Sequence, residues 1–566
     1  MTLAHVDDRQ WWKEAVVYQI YPRSFNDTTG SGSGDLPGIT AKLDYLVELG
    51  VDVVWLSPVY DSPMNDNGYD IRDYRAIADL FGTMADFDEM LEGMHERGLR
   101  LLMDLVVNHT SSEHRWFQRA RQSGRTPYRD YYHWQPPGPN GGPPTNWKSC
   151  FGGSAWTYDE RADAYYLHLF DPTQPDLNWA NPDVRAAVYE VMRFWLEKGV
   201  DGFRMDVIPF ISKRPFEDDP RAAGDDLFGF YADGPRVHDY LQEMHRRVLS
   251  DYDVMTVGEG QGLRPEQARL YAGGDRDELQ SFFYFDHVKI GRAETDWNEP
   301  TDWALADLKA AIAEWDDAFG EDAWPSVFLG NHDLPRALSH FGDDRPQYRD
   351  GSAKVLATLL LTLRGTPYIY QGDEIGMTNA PFRQLDDFAD VNTLNDVREK
   401  VDAGWELDTV LDHHRAVGRD NARTPMQWDA SPHAGFTTGD PWLDVNPNYT
   451  SINAERARNE SDSIFTYYRR LIRLRREHAA LVYGRFDLTA PDHPHLFAYR
   501  RTYEGEVLGV LLNFSDRERS VSGPGVSAFA SGDLLLSTCS DAPDVSSGSL
   551  RPYEGWVVSL SDGADA

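Results

Sequence analysis

Ionisable side chains gather at the ends of a few short β-branched runs in this 566-residue sequence. Asp104 ends one run and His109 follows it. Arg204 and Asp206 close the next, Glu259 a third, and His332 with Asp333 a fourth. If those run ends share one mouth, the carboxylates of Asp206, Glu259 and Asp333 meet there. Like charges held so close cannot all ionise at their usual pH, so at least one pKa must rise. A protonated carboxyl beside an ionised one is the equipment of glycoside hydrolysis. One lone Asp on a loop would more often cap a helix or pair with an arginine; four run ends carrying such residues point to a site.

These side chains can meet only if the runs lie side by side and parallel. The runs are AVVYQIYP, VDVVWLSP, LRLLMDLVVNH, VDGFRMDV, DVMTVGE, SFFYFDH, SVFLGNHD and TPYIYQGDE. Between them stand stretches such as GITAKLDYLVELG and MADFDEMLEGMHERGLR, with apolar residues at helical spacing and a closing Gly. Eight strands alternating with helices predict a closed (β/α)8 TIM barrel, with the site at the carboxyl ends of its strands. An open doubly wound sheet would carry a glycine-rich turn after the first strand, and none follows AVVYQIYP. Two regions break the rhythm. Residues 110–179 are rich in Pro, Gly, Trp and Tyr and read as a small domain inserted after the third strand. Residues 485–566 alternate in short segments and read as an antiparallel β-sandwich. Residues 1–109 and 180–484 are then the catalytic barrel.

Composition narrows the function classes. The 55 Lys and Arg against 92 Asp and Glu leave a net charge of −37, which repels phosphate backbones and anionic lipid. Nucleic acid and membrane are therefore not expected partners. The amino terminus lacks a basic-then-apolar leader, and the apolar runs fall short of a membrane span. Two cysteines, Cys150 and Cys539, make no disulfide framework, so a cytoplasmic protein with free thiols is expected. Only nine lysines occur, the remaining basic charge being arginine. That balance predicts a salt-rich cytoplasm; a GC-rich coding bias yields the same counts.

The strings DLVVNH (Asp104–His109), GFRMD (Gly202–Asp206), VGEG (Val257–Gly260) and FLGNHD (Phe328–Asp333) resemble the four signature blocks of the α-amylase superfamily. QPDLN (Gln174–Asn178), VVWLSP, GTPYIYQGDEIGM and ARTPMQWD agree, and QPDLN is similar to the oligo-1,6-glucosidase branch. The resemblance covers essentially the whole chain. It implies an exo-acting, retaining α-glucosidase for short oligosaccharides, working without cofactor or metal as a monomer or small homo-oligomer. It makes Asp206 the nucleophile, Glu259 the general acid and then base, and Asp333 the residue that holds the 2- and 3-hydroxyls of the distorted sugar. Arg204, two residues from Asp206 on one strand face, keeps the nucleophile ionised. Asp104 orients Arg204, and His109 and His332 bind the same glucose. In DNGYD, Asp66 and Tyr69 match residues that bind the terminal hydroxyls and stack on the ring. Arg423 matches the arginine closing the pocket with Asp66, with Arg419 as the alternative. Phe151, Phe170 and Gln174 line the neighbouring wall.

Val207, next to Asp206, resembles the residue carried by 1,6-acting members; a pocket methyl biases such choices by about 1–3 kcal/mol. Two departures stand out. Relatives carry a calcium loop DxNxDGxGD where this chain has Asp27, Thr29, Ser31 and Asp35 at the ligand positions. A carboxylate and an amide are lost there, which weakens the case for a hard cation. The stretch HFGDDRPQYRDGSAKVLATLLLTLRGTPYIYQG also resembles sucrose isomerases, but their arginine-rich loop is KIGRA (Lys289–Ala293) here. A sucrose isomerase or transglucosylase is thus the second expectation.

Overall fold

The computed structural model describes residues 9–122, 126–224, 226–541 and 545–561. Eight parallel strands close into a barrel: β1 Val17–Ile20, β2 Val53–Leu56, β3 Arg100–Leu105, β4 Gly202–Met205, β5 Met255–Glu259, β6 Ser281–Phe283, β7 Pro325–Val327 and β8 Thr366–Tyr370. Seven fall within the runs read from the sequence, and β7 begins one residue before its run, at Pro325. Strand side chains alternate. Val54, Leu56, Leu101, Met103, Phe203 and Met205 pack outward in the large core shared with the helices. Val53, Trp55, Leu102, Met255, Val257 and Phe283 fill the interior. That alternation also aims Asp104, Arg204 and Glu259 inward, because each lies two residues beyond Leu102, Gly202 or Val257.

Gly202 starts β4 at φ 152°, and a Cβ there would sit 1.9 Å from the Met255 carbonyl oxygen. Only glycine lets β4 and β5 approach, so the first residue of GFRMD is a packing requirement of the strand pair that carries the site. The helix Met84–Glu96 starts on a Thr83–Asp86 capping box and buries Phe87, Met90, Leu91 and Met94. The helix Leu43–Leu49 ends at Gly50, φ 98°.

The segment between β3 and β4 carries a three-stranded antiparallel sheet, with Ala164–Leu167 between Trp134–Gln135 and Trp156–Asp159. A second long excursion, not singled out in the sequence, lies between β8 and the last barrel helix, Ile464–Glu477. It holds the helices Val391–Asp402, Leu407–Val417 and Asp420–Arg423 around its own apolar cluster of Phe382, Phe388, Val410 and Leu411. The carboxyl-terminal region is a five-stranded antiparallel sheet, in the order 485–488, 496–503, 506–513, 555–560 and 533–537. One face joins the main core through Phe497, Tyr499, Leu508 and Val510. The opposite face carries Leu496, Ala498, Trp556 and Val558 and packs on Phe529 and a two-stranded ribbon. The second layer of the expected sandwich is therefore that short ribbon. Cys150 and Cys539 are unpaired. Among the described residues no helix is long and apolar enough to cross a membrane.

Candidate active site

Strand register brings the first charged groups together. Asp104 on β3 stands opposite Arg204 on β4, and Arg204 opposite Val257 on β5. All the polar groups so gathered are buried. Arg204 Nη1 donates to Asp104 Oδ1 at 2.8 Å and to Asp206 Oδ1 at 2.7 Å, and Nη2 pairs with Glu259 Oε2 at 2.7 Å. One planar guanidinium thus holds three carboxyls. Burial pushes all three up: Asp104 to about 6, Asp206 to about 7 and Glu259 to about 8, with Arg204 opposing the rise in each. A single positive charge cannot neutralise three negative ones in a dry site, so one proton is retained. The group titrates as a set, and Glu259 is the member that keeps the proton to the highest pH.

Val207 also donates its N–H to Glu259 Oε2 at 2.9 Å. Its φ of 33° and ψ of 40° are left-handed, a strained state for a β-branched residue. The chain turns sharply immediately after Asp206, and the freed N–H anchors the second carboxyl. Asp104 Oδ2 accepts from Trp55 Nε1 at 3.2 Å and from the Tyr69 hydroxyl at 3.0 Å. The Gln19 amide lies 2.8 Å from His332 Nδ1, so the ring hydrogen falls on Nε2, 2.7 Å from the Tyr69 oxygen. Burial depresses His332 to about 3 and His109 to about 4, so both are neutral at pH 7.

Asp333 carries the opposite shift. Burial would raise it, but Arg419, His332 and Arg423 hold it well below the carboxylate range. Arg423 Nη2 donates to Asp333 Oδ1 at 2.8 Å, and Arg419 Nε lies 3.0 Å from the same oxygen. Asp66 accepts from Gln174 Nε2 at 3.0 Å and is pushed by burial to about 7. Arg419 Nη2 reaches Asp66 at 3.5 Å. Arg423 has a different place from the one expected. It is 1% exposed, bonds Asp333, Asp390 and the His332 carbonyl, and stands behind the wall. Arg419 is the arginine that closes the cavity against Asp66. The correction has a local cause: Arg419 is the N-cap of the four-residue helix that Arg423 ends, and only Arg419 faces the opening.

The cavity measures about 870 Å³ counted to its open mouth. Asp66, Tyr69, His109, Phe151, Phe170, Asp206, Val207, Glu259 and Asp333 line it, with Arg419. Of the remaining expected residues, Arg204, Gln174, His332 and Arg423 bond the lining from behind. Phe151 meets Phe170 at 5.4 Å and the Arg419 guanidinium at 5.4 Å.

A model of the alpha amylase catalytic domain matches residues 19–484. Oligo-1,6-glucosidase of Parageobacillus thermoglucosidasius is 53% identical over 98% of this chain and 99% of its own length. That of Halalkalibacterium halodurans is 52% identical over 97% of this chain and 98% of its own. The crystal structure of isomaltulose synthase from Klebsiella sp. LX3 superposes with a TM-score of 0.94 at 44% identity, covering 98% of this chain and all of that one.

The chain belongs to the alpha-amylase family of glycoside hydrolases.

In this alpha-amylase-family chain the loop at residues 27–35 is closed by its own hydrogen bonds. Asp27 Oδ1 accepts from the N–H groups of Thr29 at 2.9 Å and Gly30 at 3.0 Å, and Oδ2 from Gly32 N–H at 2.8 Å and the Thr437 hydroxyl at 2.5 Å. Asp35 caps the next helix through Gly38 N–H. Donors already point at the carboxylate that would face a cation, so the residues present do not fit one. Elsewhere, Lys213 Nζ lies 2.6 Å from Asp176 in QPDLN, 2.6 Å from Asn108 Oδ1 and 2.7 Å from the Phe210 carbonyl. This buried ammonium ties the inserted segment to the loops after β3 and β4.

Sequence reasoning missed Asp390, fully buried between Arg419 and Arg423. It also missed Gln261, Phe285, Trp297, Asn298, Leu334 and Asn392, which line the outer cavity. Gln261 lies two residues past Glu259 and Phe285 two residues past the end of β6, so position alone could have flagged them. Trp297 lies in the short hairpin strand Asp296–Pro300 and Asn392 in the first turn of the helix Val391–Asp402, far from any barrel-strand end, so neither carries such a signal.

Proposed function

We propose that this protein is a retaining, exo-acting α-glucosidase that releases glucose from the non-reducing end of short α-1,6-linked glucosides. The observation that carries this reading is the pair of bonds from one guanidinium, Arg204, to Asp206 and Glu259 at 2.7 Å each. A shared guanidinium keeps the two carboxyls close, as direct attack needs; a spacing of about 5 Å distinguishes retaining pairs from the wider inverting ones. Asp206 attacks C1 while Glu259 delivers its proton to the glycosidic oxygen, and the C1–O bond breaks. The resulting glucosyl ester is opened by water, whose proton returns to Glu259. Asp333, kept anionic by two arginines, balances the positive charge that develops on the ring. Asp66 and Arg419 meet across one side of the cavity and close it there, so a terminal glucose has nowhere to continue.

The 1,6 preference rests on Val207 and on the similarity to the two oligo-1,6-glucosidases above. Product analysis tests the whole reading. Isomaltose and short isomalto-oligosaccharides should yield glucose of retained configuration, with higher kcat/KM than maltose; a higher value on maltose rejects the linkage.

A second reading, sucrose isomerase, is favoured by the solved neighbours, which are isomaltulose and trehalulose synthases. Against it, the two cations of KIGRA are engaged elsewhere: Lys289 pairs with Asp286 at 2.7 Å and Arg292 is buried. Sucrose should therefore give glucose and fructose rather than isomaltulose or trehalulose.

The same reading takes the protein as a cytoplasmic enzyme of a salt-rich medium, acting as a monomer or small homo-oligomer. Residues 1–109 and 180–484 form its barrel, 110–179 its inserted domain and 485–566 its last domain. The unpaired cysteines support the reducing compartment. The lysines kept in the chain support the salt reading. Lys213, Lys309 and Lys354 hold buried bonds to backbone or carboxylate, so lysine persists where its ammonium is structural. A melting temperature that falls between low and molar KCl would reject salt adaptation.

A further inference from the structure

The loop after β6 contains a buried arginine that no carboxylate among the described residues neutralises. Arg292 is 7% exposed and opens a short hairpin, Arg292–Ala293 against Asp296–Pro300. Nη1 donates to the Trp297 carbonyl at 2.7 Å and Nη2 to the Val417 carbonyl at 3.2 Å. Nε has no hydrogen-bond partner among the described residues. Burial is the one influence on its pKa, lowering it to about 9. The guanidinium carbon lies 4.3 Å from the centre of the Trp297 ring. A guanidinium removed from water without a counter-ion is unfavourable on its own account. What this one gains is an indole held over its plane, by cation–π attraction and by a bond to the same residue's carbonyl.

Trp297 is half-buried and lines the catalytic cavity with Phe285 and Leu334. Its hairpin is braced from the far side. Lys400 on the helix Val391–Asp402 pairs with Asp296 at 2.7 Å and Asp396 at 3.0 Å. Asp296 in turn accepts from Asn298 N–H at 2.9 Å. The groups that would hold the first glucose come from the segment after β2, from β3, β4, β5 and β7, and from the two long excursions. Trp297 comes from none of these, and meets the same cavity on another side. A rigid indole in a sugar-binding cavity offers a flat apolar surface that suits the C–H face of a pyranose.

We propose that Trp297 is the platform on which the departing sugar of the substrate stacks, and that Arg292 is a positioning residue that fixes the tilt of that platform. Together they favour a pyranose as leaving group. This rests on the α-glucosidase reading above, and the test separates the two.

The experiment compares kcat and KM on isomaltose with those on α-D-glucopyranosyl fluoride, which carries no second sugar and loses fluoride. Trp297→Ala is expected to lower kcat/KM on isomaltose by about tenfold, chiefly through KM, and to leave glucosyl fluoride within about twofold. Trp297→Phe keeps a flat ring and should restore most of the loss. Arg292→Gln should reproduce the selective defect at smaller depth, and Arg292→Lys, which keeps the charge, should fall between it and wild type. Equal losses on both substrates, or no loss on isomaltose, overturn the platform. A wild-type ratio of the two kcat/KM values in Arg292→Gln overturns the positioning role; should that variant not fold, the ratio in Arg292→Lys decides it. If wild type hydrolyses glucosyl fluoride but not isomaltose, the linkage reading falls instead, and the same ratio on maltose judges the platform.

Discussion

Asp206 and Glu259 stand at the ends of neighbouring parallel strands, whereas Arg419 and Phe151 stand on excursions separated by more than 250 residues. The first pair is positioned by ladder register: once Asp104 lies opposite Arg204 and Arg204 opposite Val257, little freedom remains. The second is positioned by contacts between loops. Arg419 crosses to Asp66 at 3.5 Å and to the Phe151 ring, and Asn395 Nδ2 reaches the Phe151 carbonyl at 3.3 Å. Charge differs as well. Three carboxyls share one guanidinium on the inner wall, while on the outer wall two arginines converge on Asp333. A proton-rich inner wall set by strand register suits the chemical step, and a cationic outer wall set by contacts between loops suits selection of what enters.

This contrast is best broken by substitutions on each wall. The largest effect belongs to Asp206→Asn, which should lower kcat by about 10⁴-fold or more with an unchanged melting profile. Residual activity within tenfold of wild type would remove Asp206 as nucleophile. Glu259→Gln should lower kcat/KM by about 10²- to 10⁴-fold on isomaltose but far less on glucosyl fluoride, whose leaving group needs no proton, while kcat on both falls because the ester loses its base. It also tests the raised pKa. With Glu259 at about 8 when folded, the folded state holds a proton that the unfolded state releases near its ordinary value of 4.5. Wild-type stability must then fall as pH rises between those limits, and the melting-temperature advantage of the Gln variant should grow from pH 5 to 8. A constant difference over that range would contradict the protonated acid. In the wild type, kcat/KM should decline above pH 8 as Glu259 ionises and below about 7 as Asp206 takes up a proton.

On the outer wall, Arg419→Ala should raise KM by about 10- to 100-fold with a smaller change in kcat, as expected for a lost charged hydrogen bond. Equal falls in kcat and kcat/KM with KM unmoved would assign Arg419 to the chemical step and erase the distinction between the walls. The smallest effect is Val207→Thr, which keeps the β-branch that the strained turn already tolerates. It should shift the isomaltose-to-maltose preference by about tenfold or less toward maltose. A shift the other way would detach linkage choice from this position.

Much of the inner wall was legible in the sequence. Three of the β-branched runs carry a polar residue, Asp104, Arg204 or Glu259, that period-two alternation points inward, and the strand ends are where a barrel puts its chemistry. DLVVNH, GFRMD and VGEG therefore gave both the elements and their ionisable groups. The outer wall was less legible, because loop residues obey no period. Arg419 and Arg423 are equivalent on spacing, and which one faces Asp66 depends on how one short helix is turned. Trp297 and Asp390 had no sign at all.

What the chain alone determined is the strand set, the inward residues and the carboxyl types, because alternation and turn chemistry are local. What only the tertiary structure decided is which arginine faces the cavity, that Arg204 serves three carboxyls at once, and that Asp27 spends its oxygens on hydroxyls and amides. Those outcomes depend on distances between segments hundreds of residues apart, and on water excluded once they close, which no local pattern encodes.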